Sequence, residues 1–197
     1  MSDKLARAFA AFDAYNKNDP NIEIGDGKSY PKELLYSIRM TEQLERFAPD
    51  SAEYHKLAAR CQHIGRWEIP RNKYPMDKKG YLQWRNTLKQ HHATIADKIL
   101  TECGYDSNTV DIVKFLLLKK QLYTNPDTQL LEDVICLVFV EYYLDEFADK
   151  HKHEEEKVVD IVQKTLKKMS PRAISEAVKL AKSERVKNLL EKAVSEN

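Results

Sequence analysis

Residues 130–147 read LLEDVICLVFVEYYLDEF, and the fold class turns on them. The run is rich in β-branched and aromatic residues, which favour strands. It is nevertheless far longer than a usual strand of about five or six residues. No glycine or proline interrupts the chain between Asp127 and Ser170. Asn125-Pro126-Asp127 stands just ahead of it, and proline is at home in a first helical turn, where its missing N–H would be unpaired anyway. The stretch therefore predicts a central helix. It carries Glu132 and Asp133 among apolar neighbours, where a carboxylate is costly unless paired, protonated or metal-bound.

Working outward, the same pattern repeats. Downstream, helices are expected over Glu154–Met169 and from Pro171 onward, with Ser170 as the cap. Upstream, Ser107 or Asn108 opens a helix to about Lys120. Asp77 caps a long one that ends near Cys103 and stops at Gly104. Ala52 to about His63 forms another. Ser29 and Pro31 open a helix whose apolar face is Leu34, Leu35, Ile38, Leu44 and Phe47, and Leu5–Tyr15 has helical apolar spacing. Asn16–Tyr30 reads as a polar loop, with Asn-Asp-Pro and Gly-Asp-Gly as turn formers, and Ile64–Pro75 (IGRWEIPRNKYP) as a second loop. The expectation is an all-α fold in one helical domain over 1–197, without internal repeats.

Of the 197 residues, 42% are hydrophobic and 32% charged, enough for a core and a solvated surface. Lys and Arg (32) nearly cancel Asp and Glu (31), for a formal charge of +1, which argues against a chain-wide polyanionic partner. No apolar run approaches the roughly 18–20 residues that span a bilayer. Cys61, Cys103 and Cys136 form no C-x-x-C pair, and an odd, scattered set fits a reducing compartment. The chain reads as soluble and cytoplasmic, with no membrane partner.

Gln62–Arg71 (QHIGRWEIPR) is the densest functional candidate. It places His63, Arg66, Trp67, Glu68 and Arg71 in a loop after an apolar helix, where sites on rigid scaffolds collect. Arginine offers a fork of donors to phosphate or carboxylate, and tryptophan a flat face for a base or a cation. The bland alternative keeps Trp67 in the core and pairs Arg66 with Glu68 or another acid. His91 and His92 lie about 100° apart on a helix, so only one of them can serve the same pocket. Glu132-Asp133 has its own alternative, a buried salt bridge to Arg39 or Arg66. His151-Lys152-His153 beside HEEEK reads as a solvated junction. There is no Walker A loop, no G-x-G-x-x-G, no G-x-S-x-G and no H-E-x-x-H.

Taken in order, these pieces resemble the HD-domain superfamily of helical metal-dependent phosphohydrolases, over roughly residues 30–145. Tyr36-Ser37-Ile38-Arg39-Met40, Ala58–Gly65, His92–Leu100 and Leu131-Glu132-Asp133 occupy the places of its successive motifs. Tyr36 stands where that family has its first histidine, and Gln62-His63 where it has His-Asp. The resemblance implies an HD-like bundle with a helical extension over about 150–197. It implies His63, His92, Asp133 and Glu132 as catalytic residues and one divalent metal (manganese, iron or zinc) on His63, His92 and Asp133. Arg39, Arg66, Trp67, Glu68 and Arg71 would then bind ligand. Over nearly its full length the chain is also similar to an uncharacterised domain-of-unknown-function family that is sometimes mislabelled glutamyl-tRNA synthetase. Pro31–Tyr36, Gln62-His63-Ile64, Arg66–Arg71, Tyr74–Asp77 and Lys168–Arg172 carry that likeness. The chain has no nucleotide-binding α/β domain that would support the synthetase label.

Three functional readings follow. One is a hydrolase of phosphate esters, acting on a nucleotide or similar metabolite through a metal-bound water. The second is a non-catalytic module that recognises a phosphorylated small molecule or RNA with the same arginines and Trp67. The third is a structural adaptor whose pocket is closed by salt bridges.

Overall fold

The computed structural model describes residues 2–195. It is helical apart from one small hairpin, and it divides into two compact units, residues 1–120 and 121–197. The boundary between the two units falls at Lys120–Gln121.

The first unit opens with α1 (Asp3–Asn16), capped by the Ser2 hydroxyl, which accepts from the Leu5 N–H. The stretch expected to be a plain loop contains strands β1 (Ile22–Gly25) and β2 (Lys28–Pro31), paired antiparallel. Asp26 and Gly27 between them have φ of 49° and 74°, as a two-residue I′-type hairpin turn requires. An Asp-Gly pair is a strong hairpin signal, and here it outweighs the polarity of its surroundings.

Helix α2 (Lys32–Phe47) follows at once. Pro31 at its N-cap provides no side-chain cap; buried Asp19 accepts from the Glu33 N–H at 3.0 Å in its place. Helix α3 (Glu53–Arg60) is tied to α1 by a two-pronged Arg60–Asp13 pair at 2.8 and 2.7 Å. Two short 3₁₀ turns, Arg66–Glu68 and Arg71–Lys73, fill the segment read as a loop.

Helix α4 (Lys78–Glu102) is the longest element at 25 residues, about 37 Å at 1.5 Å per residue. Asp77 caps it by accepting from the Gly80 N–H. It ends at Gly104 (φ 82°), where the Gly104 and Tyr105 N–H groups return to the Thr101 and Leu100 carbonyls. Helix α5 (Ser107–Leu117) packs back along α4 and closes with the same motif. There the left-handed position is Lys119 (φ 54°) rather than glycine. Phe12, Met40, Leu44, Leu57, Ile64, Leu88, Leu100 and Leu116 are fully buried and form the core of this unit.

The second unit contains α6 (Pro126–Tyr142), α7 (Leu144–Lys150), α8 (Glu155–Leu166), α9 (Pro171–Leu180) and α10 (Glu184–Ser195). The deciding stretch is a helix. Asn125 caps it, and Leu131, Val134, Leu137, Val138 and Val140 are buried. Its apolar run breaks at Tyr143, which separates α6 from α7. No described helix is long and apolar enough to cross a membrane.

Gly65 sets the course of the chain between α3 and α4. Its φ is 69°, and a Cβ there would lie 2.5 Å from Ile95 Cδ1 and 3.0 Å from His91 Nε2. Left-handed strain and overpacking then add. Gly65→Ala is expected to lower stability by about 2–4 kcal/mol, read by urea or thermal denaturation.

Candidate functional site

Four segments of the first unit meet around the turn after α3. His63 leaves that turn and stacks on Tyr36 of α2, with ring centroids 4.1 Å apart and planes 12° from parallel. Glu33, one turn earlier on α2, is buried beneath it. One Glu33 carboxylate oxygen lies 3.3 Å from His63 Nδ1, and the other lies 3.7 Å from Arg66 Nε. Arg66 Nη1 is 3.4 Å from His63 Nε2, and its guanidinium lies over the Trp84 ring of α4 at 4.8 Å. The Trp84 indole N–H donates to the Ile69 carbonyl at 2.8 Å, which fixes the loop on α4. His92, one turn above Leu88 on α4, donates from Nδ1 to the Ile64 carbonyl at 2.6 Å.

These contacts set the protonation states. An arginine N–H can only donate, so His63 Nε2 accepts from Arg66 and Nδ1 carries the proton toward Glu33. Burial, then Arg66 and His92, hold His63 well below the usual histidine value. Burial pushes His92 down to about 3 against the opposing pull of the Ile64 carbonyl. Both imidazoles are neutral at pH 7. Burial raises Glu33 to about 7, with Arg66 pulling in the other direction.

His63, Arg66 and His92 border a recess together with Gln62, Arg85, Leu88, Lys89, Leu117 and Lys119. Arg85, Leu88, Lys89 and His92 recur at i, i+3, i+4 and i+7, so one stripe of α4 supplies a whole wall. Four cationic side chains and no carboxylate line it. The open space is only about 10 Å³, room for one water-sized group, so a larger guest needs the rim side chains to swing aside. Gln62 is 4% exposed, and its buried Oε1 has no hydrogen-bond partner among the described residues. An unpaired buried acceptor costs about 1–3 kcal/mol.

Other expected site residues have different duties. Arg39 pairs with Glu23 and holds β1 to α2. Arg71 donates to the Tyr74 and Asp77 carbonyls at 3.0 and 3.3 Å, which shapes its own loop. Glu68 accepts from the Tyr15 hydroxyl at 2.8 Å and lies 2.8 Å from His91 Nε2. Trp67 is half-buried against Tyr15, with centroids 5.9 Å apart. The His91–His92 pair does split, His92 to the recess and His91 to Glu68.

Asp133 and Glu132 are buried on α6 in the second unit. Asp133 Oδ1 accepts from Gln129 Nε2 (2.9 Å) and the Ser170 N–H (2.8 Å), and Oδ2 accepts from the Ser170 hydroxyl (2.6 Å). It thereby anchors the start of α9. The expected metal donors do not fit an ion: Asp133 is spent in this way, and both His63 nitrogens are engaged. Among the described residues no group of three or more His, Cys, Asp or Glu side chains is placed to hold a metal.

A family model described as a domain of unknown function (DUF4202) matches residues 6–190. The chain belongs to that family. No curated protein and no solved structure matches it. In this DUF4202 member, sequence reasoning missed Glu33, Arg85, Lys89 and Lys119 around the recess. The signal for two of them was present, since Arg85 and Lys89 share a helical stripe with His92. Glu33 gave none, because an acid in a first helical turn is ordinary.

Two outcomes follow. Glu33 is raised from 4.5 to about 7, so the folded state holds an extra proton in that window, and the stability this gives is lost as pH rises through 7. The histidines act in the opposite sense: their contribution is complete above 6.5 and is lost on acidification. Glu33→Gln removes only the first effect. The stability of the wild type relative to this variant should therefore fall between pH 5 and pH 8, by on the order of 2–3 kcal/mol in urea titrations. Separately, Asp133→Ala should cost roughly 2–4 kcal/mol, because it leaves Ser170 and Gln129 without their charged acceptor.

Proposed function

We propose that the first unit recognises a phosphorylated small molecule and holds its phosphoryl group with Arg66, Arg85, Lys89 and Lys119. The observation that carries this reading is the composition of the recess wall: four cations, two neutral imidazoles and a buried unpaired amide oxygen, with no carboxylate. Glu33 lies behind His63 and Arg66, where it orients them without facing the guest. Arginine is suited to this task by its fork of donors, and a low-dielectric wall strengthens each contact.

Recognition and hydrolysis were both expected from the likeness to HD-domain phosphohydrolases. Recognition draws only on groups that the recess supplies. The metal-dependent route would need Asp133 released from Ser170, and the geometry gives no reason to prefer it. Lys119 adds support. A left-handed lysine costs about 1–2 kcal/mol where glycine would cost little, and such strain collects at ligand sites.

Arg85 separates binding from scaffolding, because among the described residues it has no carboxylate within ion-pair distance. Arg85→Ala should weaken inorganic phosphate or pyrophosphate binding about tenfold or more by calorimetry, as loss of a charged hydrogen bond implies. Its melting temperature should stay near that of the wild type. Phosphate affinity unchanged in Arg85→Ala, or no phosphate binding by the wild type, overturns the reading.

A further inference from the structure

We infer that the ligand is a phosphorylated sugar or polyol, lying with its phosphoryl group in the recess and its hydroxyls in a cleft beside it. This rests on the phosphate-binding reading above and extends it to the remainder of the ligand.

The cleft, about 520 Å³, runs between α4 and the end of α5 and is lined by Asn86, Thr87, Lys89, Gln90, Leu118 and Lys120. It is an open groove in the surface, with Asn86, Thr87, Gln90 and Lys120 exposed along it. It shares Lys89 with the recess. At the end of α5 successive residues alternate between the two: Leu117 and Lys119 line the recess, Leu118 and Lys120 the cleft. The left-handed backbone at Lys119 lies at this divide. Recess and cleft thus adjoin across Lys89 and the end of α5, the tight cationic space on one side and the roomier one on the other.

The chemistry of the cleft selects what extends from the phosphate. Thr87 donates to the Gln83 carbonyl and Asn86 Oδ1 accepts from Lys89, which leaves the Thr87 oxygen as an acceptor, the Asn86 amide N–H groups as donors and the Gln90 amide as both, a set that matches hydroxyls. Among the described residues no Phe, Tyr or Trp ring lines the cleft or the recess, and the two imidazoles, His63 and His92, border the recess rather than the cleft. Of the rings nearby, Trp84 is faced by Arg66, Tyr36 by His63 and Phe115 by Lys120. A nucleobase reaching into the cleft therefore finds no Phe, Tyr or Trp ring in its lining to stack on, although stacking is the usual source of its affinity. The Gln62 oxygen independently asks for a donor inside a wall of donors. A hydroxyl next to the phosphorylated carbon supplies one, which the phosphoryl group of a dianionic monoester, having no O–H, does not.

The test is calorimetry on the full chain with four probes: inorganic phosphate, a hexose or pentose phosphate panel, glycerol phosphate, and nucleoside monophosphates. At least one sugar or polyol phosphate should bind ten times or more tighter than inorganic phosphate, and nucleoside monophosphates no tighter than it. Thr87→Val and Gln90→Ala should each weaken the sugar phosphate about three- to tenfold, the range for one neutral hydrogen bond, and leave inorganic phosphate unchanged. If inorganic phosphate binds but no sugar or polyol phosphate gains on it, or the two variants change nothing, the inference fails and the phosphate site stands. Nucleotides binding tightest overturn it in favour of a base-reading site. If no phosphate compound binds, the underlying reading itself is wrong.

Discussion

Glu33 is the residue on which the first unit depends. Its backbone N–H is held by Asp19, its carbonyl accepts from Asn16 at 3.4 Å, and its carboxylate reaches His63 and Arg66. One residue thus joins the end of α1, the loop before the hairpin, the start of α2 and the turn that carries the site. A buried carboxylate is costly in isolation, and it is kept here by partners on all sides. Burial, reinforced by the neighbouring Arg66, keeps both imidazoles neutral. The polarity of the recess is a consequence of that arrangement: the positive charge resides on guanidinium and ammonium groups, while the histidines act as hydrogen-bonding surfaces.

The helices were legible because their signals are local. Asp77, Asn125 and Ser170 cap where a short polar side chain precedes an apolar period, and Gly104 stops α4 where a left-handed residue is needed. The run 130–147 resolved as helix because length and freedom from breakers outweighed β-branched composition. The hairpin was misread although Asp26-Gly27 announced it, since two four-residue strands of mixed polarity carry little periodicity of their own. Asp106, not Ser107 or Asn108, caps α5, a shift of one residue that changes nothing in its buried face.

The site was half legible for a different reason. His63, Arg66 and His92 stood out as unusual residues in telling places, and the fold brings them together. Arg39, Arg71 and Glu68 stood out equally, yet their charges are spent on Glu23, on loop carbonyls, and on Tyr15 and His91. A charged side chain near a site has many local partners, and only coordinates tell which it takes. Asp133 shows the same limit from the other side. Its burial on an apolar helix was readable, but the serine it would cap, 37 residues away, was not.

Helix α4 presents Arg85, Leu88, Lys89 and His92 as one stripe, and this bears on how such a site can change over evolutionary time. Each added or deleted residue turns the downstream helix by about 100° and shifts it by about 1.5 Å. A single-residue insertion between Arg85 and His92 would carry one of them out of the wall while leaving composition almost untouched. Substitution can retune this surface gradually; a change of length within the stripe can only dismantle it. Relatives that keep the site are therefore expected to hold the spacing from Arg85 to His92 fixed, and to place their length variation at the helix ends.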